Sequence, residues 1–217
     1  MNYFPILIKL DKRRVLVCGS NDEAVFKIRI LLKSSAEIFV FGSPASNKIK
    51  RWSEKKLIQY NNRLVEEKDC NNVAFAYVTL KKGTERNATL RVLTKKKILY
   101  CVVDDKLHSN FITPAIVDRN PVTVAIGSEG MAPALVRHIK AQIENILPQQ
   151  TGLVARIIGA FRPYVYRLSE SHTRRHFWAR FFNEAKSQIF SQSGAQDLET
   201  TLKKKLHNLL KNKKNHE

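Results

Sequence analysis

From residue 14 the chain alternates short apolar runs with segments whose apolar residues recur every three or four positions. Arg14 to Cys18 predicts a strand, and Asp22 to Lys33 predicts a helix with Ala24, Ile28, Leu31 and Leu32 on one face. Glu37 to Phe41 reads as a second strand, after which Gly42-Ser43-Pro44 turns into a helix reaching about Lys55. A weak strand is placed at Leu57 to Tyr60, a buried strand at Val73 to Val78, a helix at Thr84 to Thr94 and another strand at Ile98 to Val103. Such alternation is the pattern of a parallel sheet covered by helices, here a right-handed doubly wound unit ending near Asn110.

The rhythm changes at Phe111. Phe111 to Val117 and Val122 to Ile126 are two apolar strands joined by Asp118-Arg119-Asn120-Pro121, which predicts a hairpin rather than another strand–helix repeat. The remainder reads as helix: Ala132 to Leu147, stopped by Pro148; Gly152 to Leu168, with a kink or break at Pro163; and Glu170 to Ser191. In a last amphipathic segment Leu198, Leu202, Leu206 and Leu209 form a stripe. Lys203, Lys204, Lys205, Lys211, Lys213 and Lys214 lie outside it. A solvated, fraying terminal helix and a polyanion-binding arm are both compatible with that pattern.

With 217 residues, 43% of them hydrophobic, the chain can bury a proper core. No apolar run approaches the roughly 20 residues needed to span a bilayer, and residues 1–10 lack the features of a secretory signal. A cytoplasmic protein without membrane partner is therefore expected. Cys18, Cys70 and Cys101 are too far apart for a CxxC site and odd in number, so buried, inert thiols are expected. The net charge of +19 calls for an acidic partner or reflects lysine placed wherever the surface tolerates it. A basic nucleic-acid-binding protein is one alternative class, but no helix-turn-helix, zinc or RNP-type signature accompanies the charge.

Ligands of open parallel sheets sit beyond the C-terminal strand ends. There the first strand runs into Gly19-Ser20-Asn21-Asp22-Glu23-Ala24, a G-x-G-x-x-A dinucleotide fingerprint whose middle glycine is Asn21. Asparagine tolerates positive φ better than other non-glycine residues, which would partly rescue the turn. An aspartate directly after a buried strand is expected to be partly desolvated and tunable for proton transfer. Asp104 is thus the candidate general acid or base, with a turn-capping aspartate as the alternative. Gly127-Ser128-Glu129-Gly130 could hold an anion on N–H groups and a hydroxyl, or be only a tight turn before a helix. His172 and His176 are four apart, but Thr173-Arg174-Arg175 between them offers no H-E-x-x-H motif, and no metal site is expected. Arg174, Arg175, Arg162 and Arg167 could face carboxylates of a ligand, while Phe177, Trp178, Phe181 and Phe182 are expected to pack.

Several pieces, in order and spacing, resemble the siroheme synthase N-terminal family, precorrin-2 dehydrogenases that in some members are also sirohydrochlorin ferrochelatases. They are Phe4-Pro5-Ile6; Gly19 with Asp22, Ala24 and Lys27-x-Arg29; Val102-Val103-Asp104; and Phe111-Ile112-x-Pro114-Ala115-Ile116-Val117-Asp118-Arg119. Ser128-x-Gly130-x-x-Pro133-x-Leu135-x-Arg137 and Arg174-Arg175-x-Phe177-Trp178 complete the set. The resemblance implies an α/β fold: a Rossmann-type domain over 1–110, a β-hairpin and helix dimerisation segment over 111–147, and a helical, tetrapyrrole-covering domain over 148–217. It implies a homodimer that oxidises precorrin-2 to sirohydrochlorin with NAD and, in bifunctional members, inserts ferrous iron as a substrate. The family's catalytic aspartate maps onto Asp104, and its turn serine, as a substrate-binding or modified residue, onto Ser128. Its cofactor contacts map onto the Gly19-Ser20-Asn21 turn, Asp22, Glu23, Ser43 and Pro44. The methyltransferase module fused to some members is expected to be absent, because the chain ends too soon. Where the family carries a Thr-Asp-Asp type stretch this chain has Lys81-Lys82-Gly83, where an asparagine is usual it has Cys101, and the second strand ends without an acid. A tetrapyrrole-binding or chelatase-only homologue is accordingly a second alternative.

Overall fold

The computed structural model describes residues 2–168, 171–184, 197–205 and 207. They fall into two compact units, Met1–Thr113 and Pro114–Glu217.

In the first unit β1 (Arg14–Cys18), β2 (Glu37–Phe41), β3 (Gln59–Asn61), β4 (Val73–Val78) and β5 (Tyr100–Val102) form a parallel sheet in the order β3-β2-β1-β4-β5. β1 is central, Leu16 pairing with Phe39 on one side and Ala76 on the other. Successive side chains of a strand point to opposite faces. Val15 and Val17 accordingly pack with Ile28 of α1 (Asp22–Leu31) and Ile49 of α2 (Asn47–Glu54), and Leu16 and Cys18 with Leu93 of α3 (Thr84–Lys95). Both faces are covered, which is why these strands read as unbroken apolar runs rather than alternating ones. Cys18, Cys70 and Cys101 are free and buried, and burial pushes each thiol above its ordinary range.

Element ends depart from the sequence pattern where a polar group intervenes. α1 stops at Leu31 rather than Lys33, since Ser34 donates its backbone N–H (2.8 Å) and its hydroxyl (2.6 Å) to the Leu31 carbonyl. β3 begins at Gln59 rather than Leu57, because Lys56 turns left-handed and Leu57 N still donates to Trp52 O of the preceding helix. Phe111 does not open a strand. Its ring lies edge-on to Phe75 and Tyr77, Thr113 donates to the Tyr77 hydroxyl (3.1 Å), and the next strand starts at Ala115.

The second unit opens with the antiparallel pair β6 (Ala115–Arg119) and β7 (Val122–Ile126). Arg119 pairs with Val122, so the connection is only Asn120-Pro121 and shorter than the expected four-residue turn. α4 (Pro133–Ile146), α5 (Thr151–Leu168) and α6 (Ser171–Glu184) follow. Arg119 closes the C-terminal end of α4, donating Nε to Leu147 O (2.9 Å) and Nη2 to Glu144 O (3.3 Å). A Cβ on Gly152 would stand 2.2 Å from the backbone oxygens of Arg119 and Asn120, so glycine is what lets the start of α5 meet the hairpin tip. α5 continues through Pro163 without the expected break, its two halves anchored by buried Val154 and Val165. Leu198 and Leu202, in a helical stretch at 197–205, are fully buried against Val154 and Phe181. That stretch is thus packed rather than a solvated, fraying end, because its leucine stripe completes this core. Leu206, Leu209, Lys211, Lys213 and Lys214 lie outside the described residues. Among the described residues no helix is long and apolar enough to cross a membrane.

Candidate functional site

The sheet order reverses direction at β1, and the chain leaves β1 and β4 for opposite faces, the place where open parallel sheets take their ligands. Gly19 occupies that exit at φ 126°. A Cβ there would lie 2.1 Å from Thr79 Oγ1, so the turn presses directly against the end of β4. Gly42, ending β2 at φ 148°, stands so close that its added Cβ would lie 3.1 Å from Gly19 Cα. Polar bonds join the two turns: Gly19 N donates to Phe41 O (2.6 Å) and Ser20 Oγ to Pro44 O (2.7 Å). Gly19, Ser20, Ser43 and Pro44 are thereby brought together on one edge.

Asn21 takes a role its sequence position did not reveal. Its backbone is extended, at φ −82° and ψ −174°, so its tolerance of positive φ is not used. Instead the side chain accepts from Ala24 N (3.1 Å), capping α1, and donates to Thr79 O (2.9 Å), 58 residues away. The cap leaves the first-turn amides of Asp22 and Glu23 without partners inside the helix, and both carboxylates are exposed. Two close-packed glycines and two amides at a helix N-terminus fit a dinucleotide pyrophosphate.

On the same edge the chain leaves β5 through Val103 into Asp104, which is exposed and left-handed at φ 58°. The expected desolvation belongs to its neighbour. The Asp105 carboxylate, 10% exposed, pairs with Arg86 Nη2 of α3, 7% exposed, and with His108 Nδ1 at 2.9 Å. Hydrogen bonds from His108 and Arg86 hold Asp105 well below the usual carboxylate range. Lys81 and Lys82, on the loop leaving β4, are exposed. Sequence reasoning missed Arg86, although its position carries a signal. It shares the inward stripe of α3 with Thr89 and Leu93, and a cation on a buried stripe calls for an anion.

In the second unit Ser128 accepts from Ala132 N (3.0 Å) and bridges the turn into α4, with Glu129 and Gly130 both at positive φ. Arg162 and Arg174 approach the Tyr166 ring, at 5.2 and 4.4 Å, while Phe177, Trp178 and Phe181 pack as expected and Phe182, on the outer side of the helix, stays exposed. The side chains of Arg167 and His172 lie outside the described residues. Among the described residues no group of three His, Cys, Asp or Glu could hold a metal ion.

Residues 6–115, the span of the sheet and its turns, match a family described as putative NAD(P)-binding, and residues 150–206 match the sirohaem synthase dimerisation region. The chain belongs to the siroheme synthase N-terminal family. The dimerisation description falls on α5, α6 and the helical stretch at 197–205. The siroheme synthase of Buchnera aphidicola subsp. Acyrthosiphon pisum is 33% identical over 218 residues, covering 95% of this chain and 44% of that protein. That of Baumannia cicadellinicola subsp. Homalodisca coagulata is 31% identical over 209 residues, covering 95% and 45%. The chain thus spans less than half the length of these relatives. Among solved structures, SirC, a precorrin-2 dehydrogenase, superposes with a TM-score of 0.67 at 22% identity over 93% of this chain and all of that one, so the fold is shared.

Proposed function

We propose that this chain oxidises precorrin-2 to sirohydrochlorin with NAD, as a cytoplasmic homodimer, and inserts ferrous iron into the product as a second reaction. The observation that carries the reading is the placement of Asp104. Its exposed carboxylate stands on the edge that bears the glycine turn, two strand spacings from β1, about 10 Å at the strand ends. The oxidation removes a hydride and a proton from the macrocycle, and bound NAD supplies the hydride acceptor. The turn of Gly19, Ser20 and Asn21 and the amides of Asp22 and Glu23 would hold the pyrophosphate, with Ser43 and Pro44 beside the adenosine end. An Asp104 carboxylate oxygen takes the proton, and for chelation it would accept protons from the pyrroles as iron enters. A macrocycle contact or modification at Ser128 belongs to the same reading. So do the three-part division at 1–110, 111–147 and 148–217 and the capture of the substrate's carboxylates by the excess of basic side chains.

Anaerobic incubation with precorrin-2, with and without NAD and then with ferrous iron, tests it. NADH is expected only when NAD is present. Asp104→Ala is expected to lower the rate by about 100- to 10,000-fold, the range of a lost general base. Tight sirohydrochlorin binding with no NAD binding would overturn the dehydrogenase reading in favour of a carrier or chelatase.

A further inference from the structure

Asp104 holds its left-handed conformation between two tied residues. Val103 N donates to Val78 O (2.9 Å) and Asp105 N to Val102 O (3.2 Å), and Ser109 Oγ bonds the Asp105 carbonyl (2.7 Å). The Asp105 carboxylate is gripped from two sides. Arg86 reaches it from the first turn of α3, and His108 reaches it through its ring (2.9 Å) and its backbone N–H (3.3 Å), closing the turn at Lys106–His108. A guanidinium and a carboxylate removed from water this far destabilise a fold unless each finds the other, so the pair marks a constraint rather than a means of filling the core.

We propose that Arg86 and Asp105 are positioning residues for Asp104, their ion pair, closed by His108, fixing the backbone that holds the Asp104 carboxylate outward in a conformation most side chains avoid. The inference rests on the reading of Asp104 as the proton-handling group. Asp105 does not share that task, since both its carboxylate oxygens are engaged, Oδ2 by Arg86 and Oδ1 by His108.

The test uses Arg86→Met, and Asp105→Asn, which loses the charge but keeps an acceptor for the His108 amide. In the full chain kcat for precorrin-2 is expected to fall by about 100-fold, the effect of a small misplacement of a catalytic group, while KM for NAD and the Kd for sirohydrochlorin stay at their wild-type values. In an Asp104→Ala background neither change lowers the residual rate further, because the pair acts only through Asp104. Arg86→Lys restores part of kcat. A wild-type kcat in both single variants, or losses that add to Asp104→Ala, overturns the proposal. Should Arg86→Met not fold, Asp105→Asn carries the same comparison. If the wild-type protein turns over no precorrin-2, the reading of Asp104 fails by itself. Crystal structures then decide the anchor: Asp104 is expected to leave the left-handed region in the Arg86 or Asp105 variant, and an unchanged φ overturns the proposal.

Discussion

Replacing Asn21 by glycine restores the middle glycine of the dinucleotide fingerprint and removes two bonds, the cap on α1 and the bond across the sheet edge to Thr79. Exchanging an asparagine cap for glycine costs only a few tenths of a kcal/mol. The bond to the Thr79 carbonyl, on a residue 6% exposed, is worth about 1 kcal/mol, because water reaches the orphaned oxygen poorly. Added backbone freedom in the unfolded chain brings the expected total to about 2 kcal/mol, which lowers the urea midpoint by about 1 M. Asn21→Ala loses the same two bonds and is expected to be destabilised by a similar amount, but it keeps a Cβ. Calorimetric titration with NAD separates the effects: the glycine variant is expected to bind more tightly than the alanine variant, since glycine lets the pyrophosphate come closer to the backbone than any side chain does. A wild-type urea midpoint for Asn21→Ala would refute the bracing role. Equal NAD affinity in the two variants would refute the idea that a side chain at 21 limits the approach.

Gly19→Ala places a methyl 2.1 Å from Thr79 Oγ1 at a φ that L residues rarely adopt, and a loss of about 3 kcal/mol is expected in urea unfolding. Adding Thr79→Ala should recover only the steric part, and full recovery would show that φ is not the constraint. Gly152→Ala drives a methyl into two backbone oxygens that cannot rotate away. It is expected to destabilise the second unit by about 3 kcal/mol, and an unchanged melting temperature would mean that α5 and the hairpin tip are not in tight contact. Arg63, bonded twice to Asp69 at 2.7 and 2.8 Å, holds that carboxyl below its ordinary range. The unfolded chain therefore takes the proton first, and the pair stabilises fully above about pH 4 and is lost as pH falls through the folded value. Asp69→Asn should flatten the acid limb of the stability curve below that pH, and an identical limb would exclude the pair.

The sheet was legible because its strands are buried on both faces and its helices carry one apolar stripe each, so Val15 to Cys18 and Ile28 announce themselves locally. The bonds that shape the candidate site are long-range and polar, and the hydrophobic pattern does not encode them. Nothing around Asn21 reveals Thr79 as its partner, and nothing around Asp105 reveals Arg86, 19 residues earlier. The local pattern therefore points to Asp104 as the desolvated carboxylate, whereas Asp105 is the one drawn from water. The turn at Ser128 before a helix is legible locally, because it is closed by residues only four apart.

The three cysteines offer a use unrelated to chemistry on a substrate. All are buried in the first unit, on β1, on β5 and just before β4, so an alkylating reagent reaches them only when that unit opens. Trapping rates at Cys18, on the central strand, against Cys101, on an edge strand, would time the opening of the sheet from rim to centre in the unmodified protein. A loss of order confined to the second unit would leave both thiols silent.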